Sequence, residues 1–141
     1  MNDERPAGDD WALATEIRVA WGDMDAFGHV NNTVYLRWFE TARIEWLALV
    51  EFPEGPSRGP MLKTVGAVYD AQVKYPDTVT VSVRAEKPGR TSVKLLYQVV
   101  AHSTQRVVAT GDSVVVLVEN GASAPLPDDL RARLGRTDRV R

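Results

Sequence analysis

From Thr15 to Trp21 apolar and polar positions alternate, with Ile17, Val19 and Trp21 on one side and Glu16, Arg18 and Ala20 on the other. That period belongs to a half-buried strand. Gly22 to Val30 then breaks all periodicity with Gly, Asp and His. Asn32 to Val50 contains neither Gly nor Pro, and its apolar residues Tyr35, Trp38, Phe39, Ala42, Trp46 and Leu49 recur at helical spacing. As a helix this stretch would run roughly 28 Å. Val34, Leu36, Ile44 and Leu47 widen the apolar arc, so the pattern predicts a largely enclosed helix. Glu51 to Pro60, rich in Pro and Gly, ends it.

Beyond Pro60 the period changes to two. Val65 to Tyr75, Val79 to Glu86, Val93 to His102 and Arg106 to Glu119 read as four strands, with Gly111 a bend or bulge in the last. Pro76-Asp77, Pro88-Gly89 and Ser103 to Gln105 supply tight turns, so an antiparallel meander is expected. Connections this short exclude parallel crossovers. The economical packing is α+β: five antiparallel strands curled around one long helix. The domain is expected over residues 12–120. A polar tail occupies 1–11, and a second tail at 121–141 has a short helix starting at Pro127-Asp128-Asp129 and reaching Leu134.

Composition narrows the chemistry. A chain of 141 residues has room for one core. It has no cysteine, which removes disulfides, thiolate zinc sites and a cysteine nucleophile together. A net charge of −2 and no RNA-binding motif argue against a nucleic-acid partner. The acidic start is unlike a secretory signal and no apolar run is long enough to span a bilayer. No membrane partner is therefore expected, and a cytoplasmic location is the expectation by default.

The chemistry is concentrated in Gly22-Asp23-Met24-Asp25-Ala26-Phe27-Gly28-His29-Val30-Asn31-Asn32, between the first strand and the helix. A helix start presents unpaired N–H groups and partial positive charge. Beside it a carboxylate is held ionised and a developing oxyanion finds oriented donors. The same residues also suit an ordinary capped connection, with Asn31 or Asn32 as the cap. Calcium is excluded despite the Asp-x-Asp opening, because Phe27 and Val34 occupy ligand positions of the loop it imitates. His29 and His102 have no metal-ligand spacing, and no phosphate-binding glycine fingerprint is present. No metal or cofactor is implied.

Trp21 to Tyr35, followed by Trp38-Phe39-Glu40, Ala42-Arg43 and Glu45-Trp46, resembles the signature of the 4-hydroxybenzoyl-coenzyme A thioesterase family. It is most similar to the bacterial long-chain acyl-coenzyme A branch, and the resemblance extends over about Ala14 to Glu119. It implies the hotdog fold and hydrolysis of acyl-coenzyme A esters. Asp25 matches the family's catalytic carboxylate, as nucleophile or as general base, and the backbone N–H at or near Asn32 matches its oxyanion donor. His29, Val30 and Tyr35 fall where the family lines its acyl pocket. Lys87, Arg90, Thr91 and Ser92 fall at the turn where relatives hold the coenzyme's phosphates, with Lys63 and Arg58 as further cations. A homodimer or homotetramer with sites between subunits is implied.

Each assignment has a plainer rival. His29 can be a loop residue bonded to backbone, Asp23 can serve the turn, and Glu40 can pair with Arg37 and Arg43 on the helix. A non-catalytic acyl-coenzyme A sensor on the same fold is the main alternative function. A dehydratase is a third, disfavoured because His29 precedes the helix start.

Overall fold

A computed structural model describes residues 10–137, so most of the expected N-terminal tail lies outside the described residues. In chain order the elements are β1 (Leu13–Arg18), α1 (Asn32–Leu49), β2 (Arg58–Tyr69), β3 (Thr78–Ala85), β4 (Ser92–Ala101), β5 (Arg106–Glu119), β6 (Ala122–Ser123) and α2 (Asp128–Arg133). The class is α+β. The sheet has six strands rather than five, because the two-residue β6 pairs with β5 outside the main order β1-β3-β4-β5-β2.

That order corrects the expected meander. Only β3, β4 and β5 follow one another; β2 pairs with β5, antiparallel from Arg58 opposite Glu119 to Tyr69 opposite Ala109. β2 also starts and stops earlier than its alternation suggested, and Asp70 to Asp77 form a connecting loop. Gly111 is not a bulge either. The register shifts fall at Lys63 in β2 and at Val108 in β5.

α1 lies on the concave face of the sheet. Its inward side buries Val34, Tyr35, Trp38, Phe39, Ala42, Arg43 and Trp46 against Val79, Val81, Val83, Val93, Leu95, Tyr97, Val99 and Leu117. Its other side, including Arg37, Thr41 and Ile44, is exposed. The helix is covered on one side only in this chain, where enclosure was expected. Phe39 explains Gly111: a Cβ there would stand 2.4 Å from the ring's Cε2 and 2.8 Å from the Gly66 carbonyl oxygen. Helix and sheet approach most closely where a strand carries no side chain.

The C-terminal segment is packed against the domain at least to Leu134. Leu126, Leu130 and Leu134 are buried in the core cluster, and α2 crosses the β3–β4 turn, where Arg131 donates to the Gly89 and Arg90 carbonyls. Among the described residues no helix is long and apolar enough to cross a membrane.

Candidate active site

The loop from Trp21 to Asn31 folds back on itself as a short ladder. Asn31 N–H donates to the Asp23 carbonyl at 2.9 Å, Met24 bridges Val30, and Asp25 N–H donates to the His29 carbonyl at 3.0 Å. Gly28 N–H closes the turn on the Asp25 carbonyl at 3.0 Å. Gly28 stands at φ +81°, a region glycine enters without a Cβ clash. Val30 N–H reaches the Val73 carbonyl at 2.8 Å, anchoring the ladder to the loop after β2.

The two aspartates have different tasks. Asp23 is buried; its Oδ2 accepts the Ala20 N–H at 2.8 Å and its Oδ1 accepts Arg37 Nη2 at 2.9 Å. Both of its oxygens are occupied in fastening the loop to α1, as the turn reading of Asp23 expected. Asp25 is half-buried, and its Oδ1 accepts the Phe27 N–H at 2.9 Å. Its Oδ2 has no hydrogen-bond partner among the described residues.

A similar selection operates at the helix start. Asn31 is the N-cap: its Oδ1 accepts the Thr33 N–H at 2.9 Å and the Thr33 hydroxyl at 2.8 Å, while its carbonyl takes the Val34 N–H at 2.9 Å. The first N–H of the helix, that of Asn32, has no acceptor among the described residues, and it carries the positive end of the α1 dipole. Tyr69 at the end of β2 donates to the Asn32 carbonyl at 2.9 Å and meets the Tyr35 ring edge-on at 5.0 Å. Burial pushes the Tyr35 hydroxyl pKa up, the neighbouring Tyr69 adds to that, and a hydrogen bond with the Val73 backbone pulls it back. Tyr35 and Val30 are both buried, serving as floor to the site more than as open surface.

His29 borders a hollow of about 410 Å³ that it shares with Gln72, Val73, Lys74, Tyr75, Pro76, Asp77 and Ser103. Lys74 was not singled out from the sequence, since nothing in the pattern brings the loop after β2 against His29. A larger hollow of about 1020 Å³ lies on the outer face of the sheet, lined by residues such as Trp11, Arg84, Lys94, Gln98 and Asp112. It shares Gln72 with the smaller hollow, but it contains none of the loop's carboxylates.

Glu40 forms one of the two expected pairs. It stands 3.9 Å from Arg43 Nη2, while Arg37 turns to Asp23. The expected phosphate-binding residues are not brought to Asp25 within one chain. Arg90, Thr91 and Ser92 follow β3, which begins at Thr78 beside the loop and runs roughly 27 Å to its far end. Lys63 sits in the β2 bulge, six residues before Tyr69. Among the described residues no group of three or more His, Asp or Glu stands together as a metal site would require.

A sheet packed on one long helix is a hotdog scaffold, and at the start of that helix an unspent carboxylate oxygen and an unspent N–H lie seven residues apart in sequence. The family comparison agrees: the model described as thioesterase-like superfamily matches residues 19–134, so the chain belongs to that superfamily. Among solved structures the chain is similar to the PA2801 protein of Pseudomonas aeruginosa, at 33% identity over 86% of this chain and 97% of that one, with a TM-score of 0.78. It is similar to a thioesterase-superfamily protein from Jannaschia sp. CCS1, at 30% identity over 92% and 83% of the two chains and a TM-score of 0.82. A thioesterase from Thermus thermophilus, solved with coenzyme A and zinc, matches at 30% identity over 88% and 98%, with a TM-score of 0.80. No curated protein matches.

Proposed function

We propose that this chain hydrolyses acyl-coenzyme A thioesters, with the Asp25 carboxylate and the Asn32 N–H as the reacting pair. One observation carries the reading. Asp23, Asn31, Thr33 and Val34 are each committed to fastening the loop or capping the helix, while Asp25 Oδ2 and the Asn32 N–H are left without protein partners among the described residues. Acyl transfer needs those two functions, a base or nucleophile and an oxyanion donor. Asp25 either attacks the carbonyl carbon itself, forming an anhydride that water opens, or takes a proton from the attacking water. In both routes the carbon–sulfur bond breaks, the thiolate of coenzyme A leaves and is protonated, and the carbonyl oxygen's transient charge rests on the Asn32 N–H. The 4-hydroxybenzoyl-coenzyme A branch and a long-chain substrate are the finer form of this proposal. The coenzyme A bound to the Thermus thermophilus relative supports a coenzyme A ester as the substrate class.

The active unit in this proposal is a dimer. β2 is an edge strand, and Met61, Leu62, Val65, Val68 and Tyr69 are exposed on it. Its twelve residues offer an unpaired edge of roughly 40 Å. If a second copy pairs antiparallel along that whole edge, its Arg58 comes to lie beside Tyr69 and the Asp25 loop of the first, with its Lys63 near the middle of the seam. A cation that one chain holds apart from its carboxylate is thereby brought to the coenzyme's phosphates.

The test is a panel of acyl-coenzyme A esters with a thiol reagent, wild type beside Asp25→Asn and Asp25→Ala. Both variants should lose about 10²-fold or more in kcat, the scale of one acid–base group. Wild-type rates in either variant would refute the assignment. Ligand-induced stabilisation of the wild type without turnover would establish the sensor reading instead.

A further inference from the structure

The face of the sheet turned away from α1 carries the hollow of about 1020 Å³. That matches the upper end of the range for small-molecule sites, roughly 300–1,000 Å³. Side chains alternate along β4, so with Val93, Leu95, Tyr97 and Val99 packed in the core, Leu96 and Gln98 stand on the outer face. A polar side chain on an outer face ordinarily meets water. Gln98 is only 6% exposed.

Three side-chain polar atoms among the described residues are buried without a hydrogen-bond partner: Trp46 Nε1, Arg84 Nε and Gln98 Oε1. Trp46 belongs to the core, but Arg84 and Gln98 both line the outer hollow. β3 sets Ser82 opposite Gln98 and Arg84 opposite Leu96. Arg84 and Gln98 are therefore diagonal neighbours on one face, within reach of each other. The donor nitrogen of one and the acceptor oxygen of the other nevertheless stay unbonded. Each orphan destabilises the isolated chain, and a ligand that offers an acceptor beside a donor removes both costs at once.

The rest of the wall narrows the ligand. Ala12 N–H donates to the Val83 carbonyl at 2.9 Å, which places Trp11 next to Arg84, whose Cζ lies 5.8 Å from the indole centroid. Trp11 thus gives the hollow an aromatic wall on which a flat ring stacks. Arg84, Lys94 and Arg106 line it against two carboxylates, Asp70 and Asp112, of which Asp112 stands 3.7 Å from Lys94. The surplus is positive, which suits an anion. None of Trp11, Arg84 and Gln98 lies on β2, the edge that the proposed dimer covers.

We infer that this hollow binds an adenine nucleotide, its base against Trp11, a ring nitrogen accepting from Arg84 Nε and the exocyclic amino group donating to Gln98 Oε1. Adenine presents that acceptor and donor side by side at N7 and N6, whereas guanine presents two acceptors, N7 and O6. The phosphate faces the surplus positive charge. Gln72 and Ser103 line both this hollow and the smaller one beside His29, so the two adjoin. Two sources carry the chemistry: a free adenine nucleotide, and the nucleotide end of a coenzyme A ester whose acyl end lies at Asp25. Binding itself stands apart from the hydrolase reading; only its assignment to the substrate rests on that reading.

The first measurement is calorimetric titration of the full chain with AMP, GMP and inorganic phosphate. AMP should bind about tenfold or more tighter than either, on the scale that a misplaced polar group discriminates. Gln98→Leu should weaken AMP by about tenfold or more while leaving Tm unchanged or raised, because it removes an orphaned buried oxygen. A glutamine kept for the fold would not give that split. If Gln98→Leu does not fold, Arg84→Met carries the same titration. The source is read from KM on an acyl-coenzyme A and on the matching acyl-pantetheine. A rise in the variant for the coenzyme A ester alone, with AMP competitive, assigns the base to the substrate. Unchanged KM on both, with AMP and coenzyme A bound together, assigns it to a free nucleotide. Equal affinity for AMP and GMP, full AMP affinity in the variant, or no saturable AMP binding in the millimolar range would overturn the site. Hydrolysis without AMP binding sinks this inference alone, and AMP binding without turnover of any ester sinks only the hydrolase.

Discussion

At the scale of single residues, the deciding fact is often which polar atom already has a partner. Asp23 and Asp25 are indistinguishable by type and lie two positions apart, yet one fastens Ala20 and Arg37 while the other keeps an oxygen unspent. The sequence favoured Asp25 through resemblance and a turn argument. The bond that occupies Asp23 could not be foreseen, because Arg37 could equally have turned to Glu40. Gly111 is the matching case in the core. Its place in a β-branched run suggested a bend, whereas its cause is the Phe39 ring, which lies 72 positions away in sequence (111 − 39). Gly111→Ala should destabilise by about 1–3 kcal/mol through overpacking, read as a lower urea midpoint with an unchanged slope. A neutral result would mean that Phe39 can swing aside, which its complete burial and its stacking on Tyr97 argue against.

Elements were legible where one face is buried and the other is not. α1, β3, β4 and β5 follow their hydrophobic periods closely for that reason. β2 did not. Its alternation was legible only from Val65 to Tyr69; the first half, exposed on both faces, has no apolar side to alternate, and Pro60, tolerated at an edge, read as a breaker. α2 is short and polar at its start, so its role was hidden too. Leu126, Leu130 and Leu134, in and around α2, close the bottom of the core, while Arg133 donates to the Val50 carbonyl at 2.8 Å and the Glu51 carbonyl at 3.0 Å, and Arg136 to that of Leu49 at 3.3 Å. These are the carbonyls that the end of α1 leaves unpaired. Leu130→Ala, at a site with 0% exposure, should therefore cost about 2–5 kcal/mol, visible as a lowered Tm, and the loss should reach α1 as well as α2. Amide exchange at Trp46 to Val50 is the direct readout; protection unchanged there would show that α2 is a passive cover. The corner also has a pH sign. The Arg136 guanidinium beside Glu51 holds its carboxyl below the usual range, so the pair supports the fold above ordinary carboxylate values and lets go as pH falls through the lowered one.

The whole molecule explains why the site residues looked scattered. In one chain the helix start beside the Asp25 loop meets the Tyr69 end of β2, while Arg58 stands at the other end and Lys63 midway, and the proposed dimer would reverse that direction. Sequence periodicity describes one chain's burial, so it could not place a surface that the proposed dimer would cover. Met61 and Val68 are 49% and 61% exposed in the single chain and lie on the free strand. Replacing both with lysine should leave the fold of each subunit intact, because neither contributes to its core. It should also set like charges along the two edges that meet in the proposed dimer. Light scattering at micromolar concentration should move from dimer to monomer, far-ultraviolet dichroism should be unchanged, and hydrolysis of coenzyme A esters should fall with the dimer fraction. Activity that persists in a proven monomer would place the whole site within one chain. A dimer that survives both lysines would move the subunit contact away from β2.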